Sequence, residues 1–142
     1  MDFHGSHKFA APPQQVWAAL NNPVLLKDSI PGAESVTVNG NTIDINIRVN
    51  TPFLSGDFAL PAQIVSQNPP SQVVISIDRT GSYGTIKGQA TIDLAADGAG
   101  TNLTYTSHVD LSGRIGVANN MIGEQAAKAG LGQFFKNLDS KI

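Results

Sequence analysis

The residue types that could do chemistry are few in this chain, and their spacing does not suit it. The 142 residues include three histidines and no cysteine. Without cysteine there is no thiolate nucleophile, no disulfide framework and no cysteine zinc site. His4 and His7 fall on the first predicted strand, and alternation turns His108 outward on a late one. No His-x-x-x-His pair, His-Glu pair or carboxylate cluster has metal-ligand spacing. Ser82 and Ser107 lack the Gly-x-Ser-x-Gly context of a nucleophile elbow. The glycine-rich segments match neither the phosphate-loop nor the dinucleotide fingerprint. What remains is acid–base work inside a cavity, for which the inward polar side chains are His7, Tyr105, Ser107 and, less clearly, Tyr83 and Gln125. A buried tyrosine or serine usually only satisfies its own hydrogen bond. No catalytic residue and no metal ligand is therefore assigned.

These residues depend on elements that hydrophobic patterning makes visible. Residues 3–10 read as a short strand. Pro12 and Pro13 open a helix, since proline in a first turn loses no needed hydrogen bond, and Val16, Trp17 and Leu20 give it an apolar face. Pro23 starts a second short helix that stops at Pro31-Gly32. Residues 33–38 and 42–49 flank Asn39-Gly40-Asn41, a hairpin signal. Ile43, Ile45, Ile47 and Val49 alternate with Asp44, Asn46 and Arg48, which predicts a sheet with one buried and one wet face. Further strands are expected near 56–66, 72–79, 83–95 and 101–112, separated by turn chemistry at 68–71, Gly81 and 97–100. After Gly113 the period changes. Met121, Ile122, Ala126, Leu131, Phe134, Phe135, Leu138 and Ile142 recur at helical spacing, which predicts a C-terminal helix of roughly 25 residues. The order specifies one α+β domain over 1–142: an antiparallel sheet with a long helix laid across its buried face.

The buried face mixes large and small residues. Parity puts Phe58, Leu60, Ala62 and Ile64 inward, then Gly84, Ile86, Gly88, Ala90, Ile92 and Leu94, then Leu103, Tyr105, Ser107, Val109 and Leu111. Close-packed interiors tolerate few voids, so the small residues mean either close helix-on-sheet packing or a cavity. Gly116, Gly123 and Gly130 recur every seventh residue and would share a helix face. A glycine inside a helix costs about 1 kcal/mol against alanine, so the stripe leaves the same two readings open. For a cavity, the lining positions would be Ile45, Ile47, Phe58, Ile75, Ile86, Gly88, Ala90, Tyr105, Ser107, Met121, Ile122, Gly123, Ala126 and Gly130.

Composition narrows the partners. The formal net charge is −2, 14% of residues are charged, and the nine Lys and Arg are scattered. Nucleic-acid binding asks for a concentrated basic footprint, so none is expected. No apolar run approaches membrane-spanning length, and the start MDFHGSHKFAAPP has no signal-peptide core. A cytoplasmic protein is the default expectation. Trp17, Phe134 and Phe135 read as core anchors, with one of the adjacent phenylalanines partly exposed.

With these residues in place the chain resembles a known family. FAAPPQQVWAAL (9–20) followed by NPVLLKDSIPGAESV (22–36) is similar to the opening of the carbon monoxide dehydrogenase G-subunit family, within the START-like, polyketide-cyclase superfamily. Val16-Trp17, Leu20, Pro23, Ile30-Pro31-Gly32 and Glu34 are the specific part. The stretches 84–105 and 112–138 are similar as well. The resemblance implies a helix-grip fold, with a seven-stranded curved sheet gripping the long helix over an apolar tunnel. It implies association with carbon monoxide dehydrogenase or a related molybdenum hydroxylase. The role would be recruitment to the membrane or shuttling of a lipophilic electron acceptor such as menaquinone or ubiquinone, with no covalent cofactor and no shared catalytic residues. Many members carry an added proline-rich C-terminal segment that would anchor them. This sequence stops at Lys141-Ile142, so the expectation is transient membrane contact, peripheral at the inner face, or a soluble carrier.

Two other classes compete. An enzyme of the cyclase, dehydratase or hydrolase type would use the same cavity and requires an inward histidine or carboxylate with a perturbed pKa, for which His7 is the one candidate. His7 in the cavity beside a carboxylate would favour it. A protein-binding adaptor would have its cavity filled by side chains.

Overall fold

Strict alternation and turn chemistry build most of the sheet. The computed structural model describes residues 1–50 and 55–142. Strand β1 (Asp2–Phe9) leads into helices α1 (Pro13–Leu20) and α2 (Pro23–Ser29). Six strands follow: β2 (Ala33–Asn39), β3 (Thr42–Asn50), β4 (Ser55–Asn68), β5 (Gln72–Gly81), β6 (Gly84–Asp97) and β7 (Gly100–Ser112). A 3₁₀ turn (Gly113–Ala118) then precedes helix α3 (Met121–Asp139). All seven strands form one antiparallel sheet in the order β1-β7-β6-β5-β4-β3-β2. The fold is the expected helix-grip arrangement.

Local chemistry fixes the joints. Pro13 and Pro23 both occupy the first turn of their helices, where proline costs no hydrogen bond. The Asn22 side chain caps α2 by accepting from the backbone N–H of Val24 and Leu25. Gly32 follows α2 at φ +78 and packs where a β-carbon would run into the carbonyl of Arg48, while its own carbonyl accepts from the Arg48 N–H at 2.8 Å. The Ile30-Pro31-Gly32 corner is thereby pinned to β3.

The last helix is shorter than its periodicity predicts. It has 19 residues, because the Asn120 side chain accepts from the Gly123 N–H at 3.0 Å and caps the helix there. Gly116 belongs to the preceding 3₁₀ turn and shares no helix face with Gly123 and Gly130. Gly123 is buried in the first turn of α3 and lies directly on the Ala118 backbone. Of the three, only Gly130 faces open space.

The core occupies one half of the sheet's inner face. Phe3 and Phe9 of β1, Leu103 and Tyr105 of β7, Val16 and Ala19 of α1, and Phe135 and Leu138 of α3 form one buried cluster. Val16, Leu103 and Leu138 are fully buried, each contributing about 1.5–3 kcal/mol by burial. The rings of Phe9, Tyr105 and Phe134 pack around Phe135 with centroids 5.1–6.3 Å away. Helix α3 rests on β1, α2 and the 3₁₀ turn. The β3–β5 half of the concave face is left without a helix seated on it.

Candidate functional site

That uncovered half encloses a cavity of about 430 Å³, within the range of small-molecule sites. Its floor is the sheet: Ile43, Ile45 and Ile47 of β3, Ala62 and Ile64 of β4, Val73, Ile75 and Ile77 of β5, and Ala90 and Ile92 of β6. Its side wall is the pair of short helices and the corner after them, through Trp17, Leu20, Leu26, Ile30 and Pro31. The roof is one stripe of α3, Gly130, Leu131 and Phe134. Period 2 on the strands delivers every isoleucine to this face, and Ala62 and Ala90 stand in the middle of the floor. A leucine or isoleucine at those two positions would occupy the cavity. Gly130 does the same for the roof, since beyond its chain neighbours and its own helix backbone no atom lies within 4 Å of where its β-carbon would sit.

The lining is hydrocarbon apart from Asn21, Gln67 and the indole of Trp17. Asn21 Nδ2 donates to the Trp17 carbonyl at 2.9 Å, and both Asn21 and Gln67 are exposed. Among the described residues the lining includes no carboxylate, imidazole or hydroxyl, and it can take up apolar surface by exclusion from water.

The predicted lining residues divide. The structure brings Ile45, Ile47, Ile75, Ala90 and Gly130 together around the cavity. It places the others elsewhere. Phe58 is buried against Tyr83, with ring centroids 4.9 Å apart, and Tyr83 Oη donates to the Ala59 carbonyl at 3.5 Å. Gly88 is a close-packing site beside Val109 and the His108 carbonyl. Ile86 lies outside the lining, opposite Arg79. Tyr105 belongs to the core against Phe135, and burial pushes its phenol above the usual value of 10.0. Ser107 is buried and donates to the Gln89 carbonyl at 3.3 Å. Met121 and Ile122 are 76% and 67% exposed, and Ala126 is exposed as well. Met121 and Ile122 face away from the stripe of Gly123, Gly130, Phe134 and Leu138, while Ala126, one turn before Gly130 on the same side of α3, lies outside the lining. Trp17, read from the sequence as a core anchor, packs against the core cluster and also lines the cavity.

His7 does not enter the cavity. Its Nε2 lies 3.2 Å from Asp139 Oδ2, beside the rings of Phe9 and Phe135. Asp139 Oδ1 also accepts from the Ala10 N–H at 3.4 Å. The pair ties β1 to the last turn of α3. His108 is on the outer face between Asp2 and Asp110, at 2.5 and 3.1 Å. Hydrogen bonding to Asp2, then Asp110, holds His108 above the ordinary 6.5. Among the described residues no group of three or more His, Asp or Glu is placed to hold a metal ion.

Against this geometry, the family profile of the carbon monoxide dehydrogenase G-subunit, CoxG, matches residues 5–142. The chain belongs to the CoxG family. Comparison with curated proteins gives no match. Among solved structures this CoxG-family chain is similar to a conserved protein from Geobacillus kaustophilus, with 22% identity and a TM-score of 0.88 over 99% of this chain and 94% of that one. A Rhizobium loti protein matches at 18% identity and TM-score 0.76, over 100% and 96% of the two chains. A Chromobacterium violaceum protein matches at 16% identity and TM-score 0.76, over 99% and 96%. At these identities the likeness establishes the fold.

The family's Ile30-Pro31-Gly32 corner acquires a structural role here. Ile30 and Pro31 line the cavity, and Gly32 docks them on β3. The cavity wall formed by Leu20, Leu26, Ile30 and Pro31 is absent from the predicted lining. The signal for it is the four-residue spacing of Leu26 and Ile30, which puts both on one side of a helix too short to carry a longer pattern.

Proposed function

We propose that this chain is a non-enzymatic carrier of a lipophilic molecule, an isoprenoid quinone, that serves carbon monoxide dehydrogenase or a related molybdenum hydroxylase. The observation that carries the reading is the hydrocarbon-lined cavity of about 430 Å³ between sheet and helix. Burying apolar ligand surface there is worth about 25 cal/mol per Å² before ordering costs. A carrier of a redox molecule needs no redox group of its own, because the bound molecule supplies that chemistry. The family's name supplies the partner. Delivery to a membrane-bound quinone pool requires only transient contact with the bilayer, and no helix among the described residues is long and apolar enough to cross one.

The test is native mass spectrometry with organic extraction, on protein purified from a quinone-producing host. The expected result is one menaquinone or ubiquinone per chain, together with quenching of Trp17 fluorescence when quinone is added to stripped protein. Gly130→Leu, which fills the roof, should abolish both. Protein that emerges empty and leaves Trp17 unquenched would remove the quinone from the proposal.

A further inference from the structure

Beside the hydrocarbon floor of the cavity, outside its lining, one charged side chain stands on the concave face. On β5 the inward positions run Val73, Ile75, Ile77, and the next is Arg79. Ile77 is part of the cavity floor. Ile86 stands opposite Arg79 on β6, and Leu111 stands opposite Ile86 on β7. Arg79 is thus the cationic member of an apolar row that adjoins the floor. The residue is half-buried, and its Nε is inaccessible to solvent with no hydrogen-bond partner. Among the described residues no carboxylate pairs with it. By contrast Arg48, on the wet face, has Asp57 at 3.9 Å.

A buried donor without an acceptor is costly, and more so on a charged group. A leucine or methionine would suit this row better unless something occupies the fork. The guanidinium offers five donors in a planar fork and no acceptor, which suits it to oxygen ligands. We infer that Arg79 receives the oxygenated end of the cavity's ligand, so that the site selects an apolar molecule ending in a carbonyl or carboxylate oxygen over a plain hydrocarbon of similar size. This rests on the carrier reading and narrows it. A quinone carbonyl and a fatty-acid carboxylate share the required chemistry.

The experiment is a thermal-shift titration of the wild type and Arg79→Met with three probes: a short-tailed menaquinone, palmitate and squalene. The wild type should bind menaquinone or palmitate at least tenfold more tightly than squalene, and which of the two it prefers assigns the acceptor as carbonyl or carboxylate. Arg79→Met should bring the oxygenated probe down to the level of squalene while leaving squalene binding unchanged. Methionine keeps the length and removes the unpaired charge, so the unliganded variant should unfold at the same or a higher temperature. Arg79→Lys keeps the charge without the fork and should restore only part of the preference. The inference is overturned if Arg79→Met binds all three probes as the wild type does, or if the wild type prefers squalene. In those cases the carrier reading stands. If neither protein binds any probe, both fall.

Discussion

Gly5 and Tyr105 face each other across the β1–β7 ladder, and the phenol ring lies over the glycine. A β-carbon on residue 5 would come within 2.6 Å of the Tyr105 oxygen and 2.8 Å of the adjoining ring carbon. The ring has little freedom to retreat, because Phe135 packs on it. Gly5→Ala should therefore cost about 1–3 kcal/mol, the usual penalty for overpacking a filled core. Urea unfolding checks the value. The double variant Gly5→Ala/Tyr105→Leu should cost less than the sum of its parts, since removing the ring removes the clash.

Gly123 and Gly130 are one heptad apart and should respond in opposite ways. At Gly123 a β-carbon collides with the Ala118 backbone, which cannot move without undoing the cap at Asn120. At Gly130 it enters open space. Gly130→Leu should leave stability unchanged or raise it by up to about 1 kcal/mol through helix propensity, while ligand affinity falls at least tenfold. Gly123→Leu should lower the unfolding temperature and give no clean information about the cavity. Unfolding curves and Trp17 titrations on both variants separate the two roles.

These two glycines also show what is legible from sequence. The period-2 run of β3 identifies Ile45 and Ile47 because one-face burial leaves that signature in any sheet. Equal spacing makes Gly116, Gly123 and Gly130 look equivalent, but spacing does not report where a helix begins. Asn120, a strong cap type, carries that information, and it moves Gly116 into a different element. The α2 part of the wall stays hidden for another reason. The apolar face of α1 is read from Val16, Trp17 and Leu20, but α2, with seven residues, is too short for periodicity to state which side it buries. Phe134 and Phe135 show the limit of composition: one lines the cavity and its neighbour is 2% exposed in the core, a difference of one helical step. Arg79 breaks the apolar alternation of β5 in plain view, yet alternation reports which positions are apolar and says nothing of a cation standing among them.

Met121 and Ile122 provide a control on the placement of the cavity. Both are exposed on the first turn of α3, outside the lining. Met121→Ser and Ile122→Ser should each change stability by no more than about 0.5 kcal/mol, the usual range for surface positions. Ligand affinity, measured by Trp17 quenching, should stay within twofold of the wild type. A large loss at either position would place the binding site under the start of the helix instead of at Gly130.

His108 gives the outer edge of the sheet a pH dependence whose sign follows from two opposed shifts. The Asp2 hydrogen bond, then that of Asp110, raises His108 above 6.5. The same bond from His108 lowers Asp2 below 3.8. A raised histidine contributes stability that is fully present below its unfolded value and lost as pH rises through the folded one. A lowered carboxylate contributes stability that is present above its unfolded value and lost as pH falls through the folded one. The β1–β7 edge is therefore held best between 3.8 and 6.5 and loosens on either side. Both groups are solvent-exposed, so the effect should be small and should shrink at high ionic strength. Proton NMR titration of the His108 ring should give a midpoint above 6.5 that falls toward the ordinary value in Asp2→Asn. A midpoint unmoved by Asp2→Asn would assign the shift to Asp110 instead.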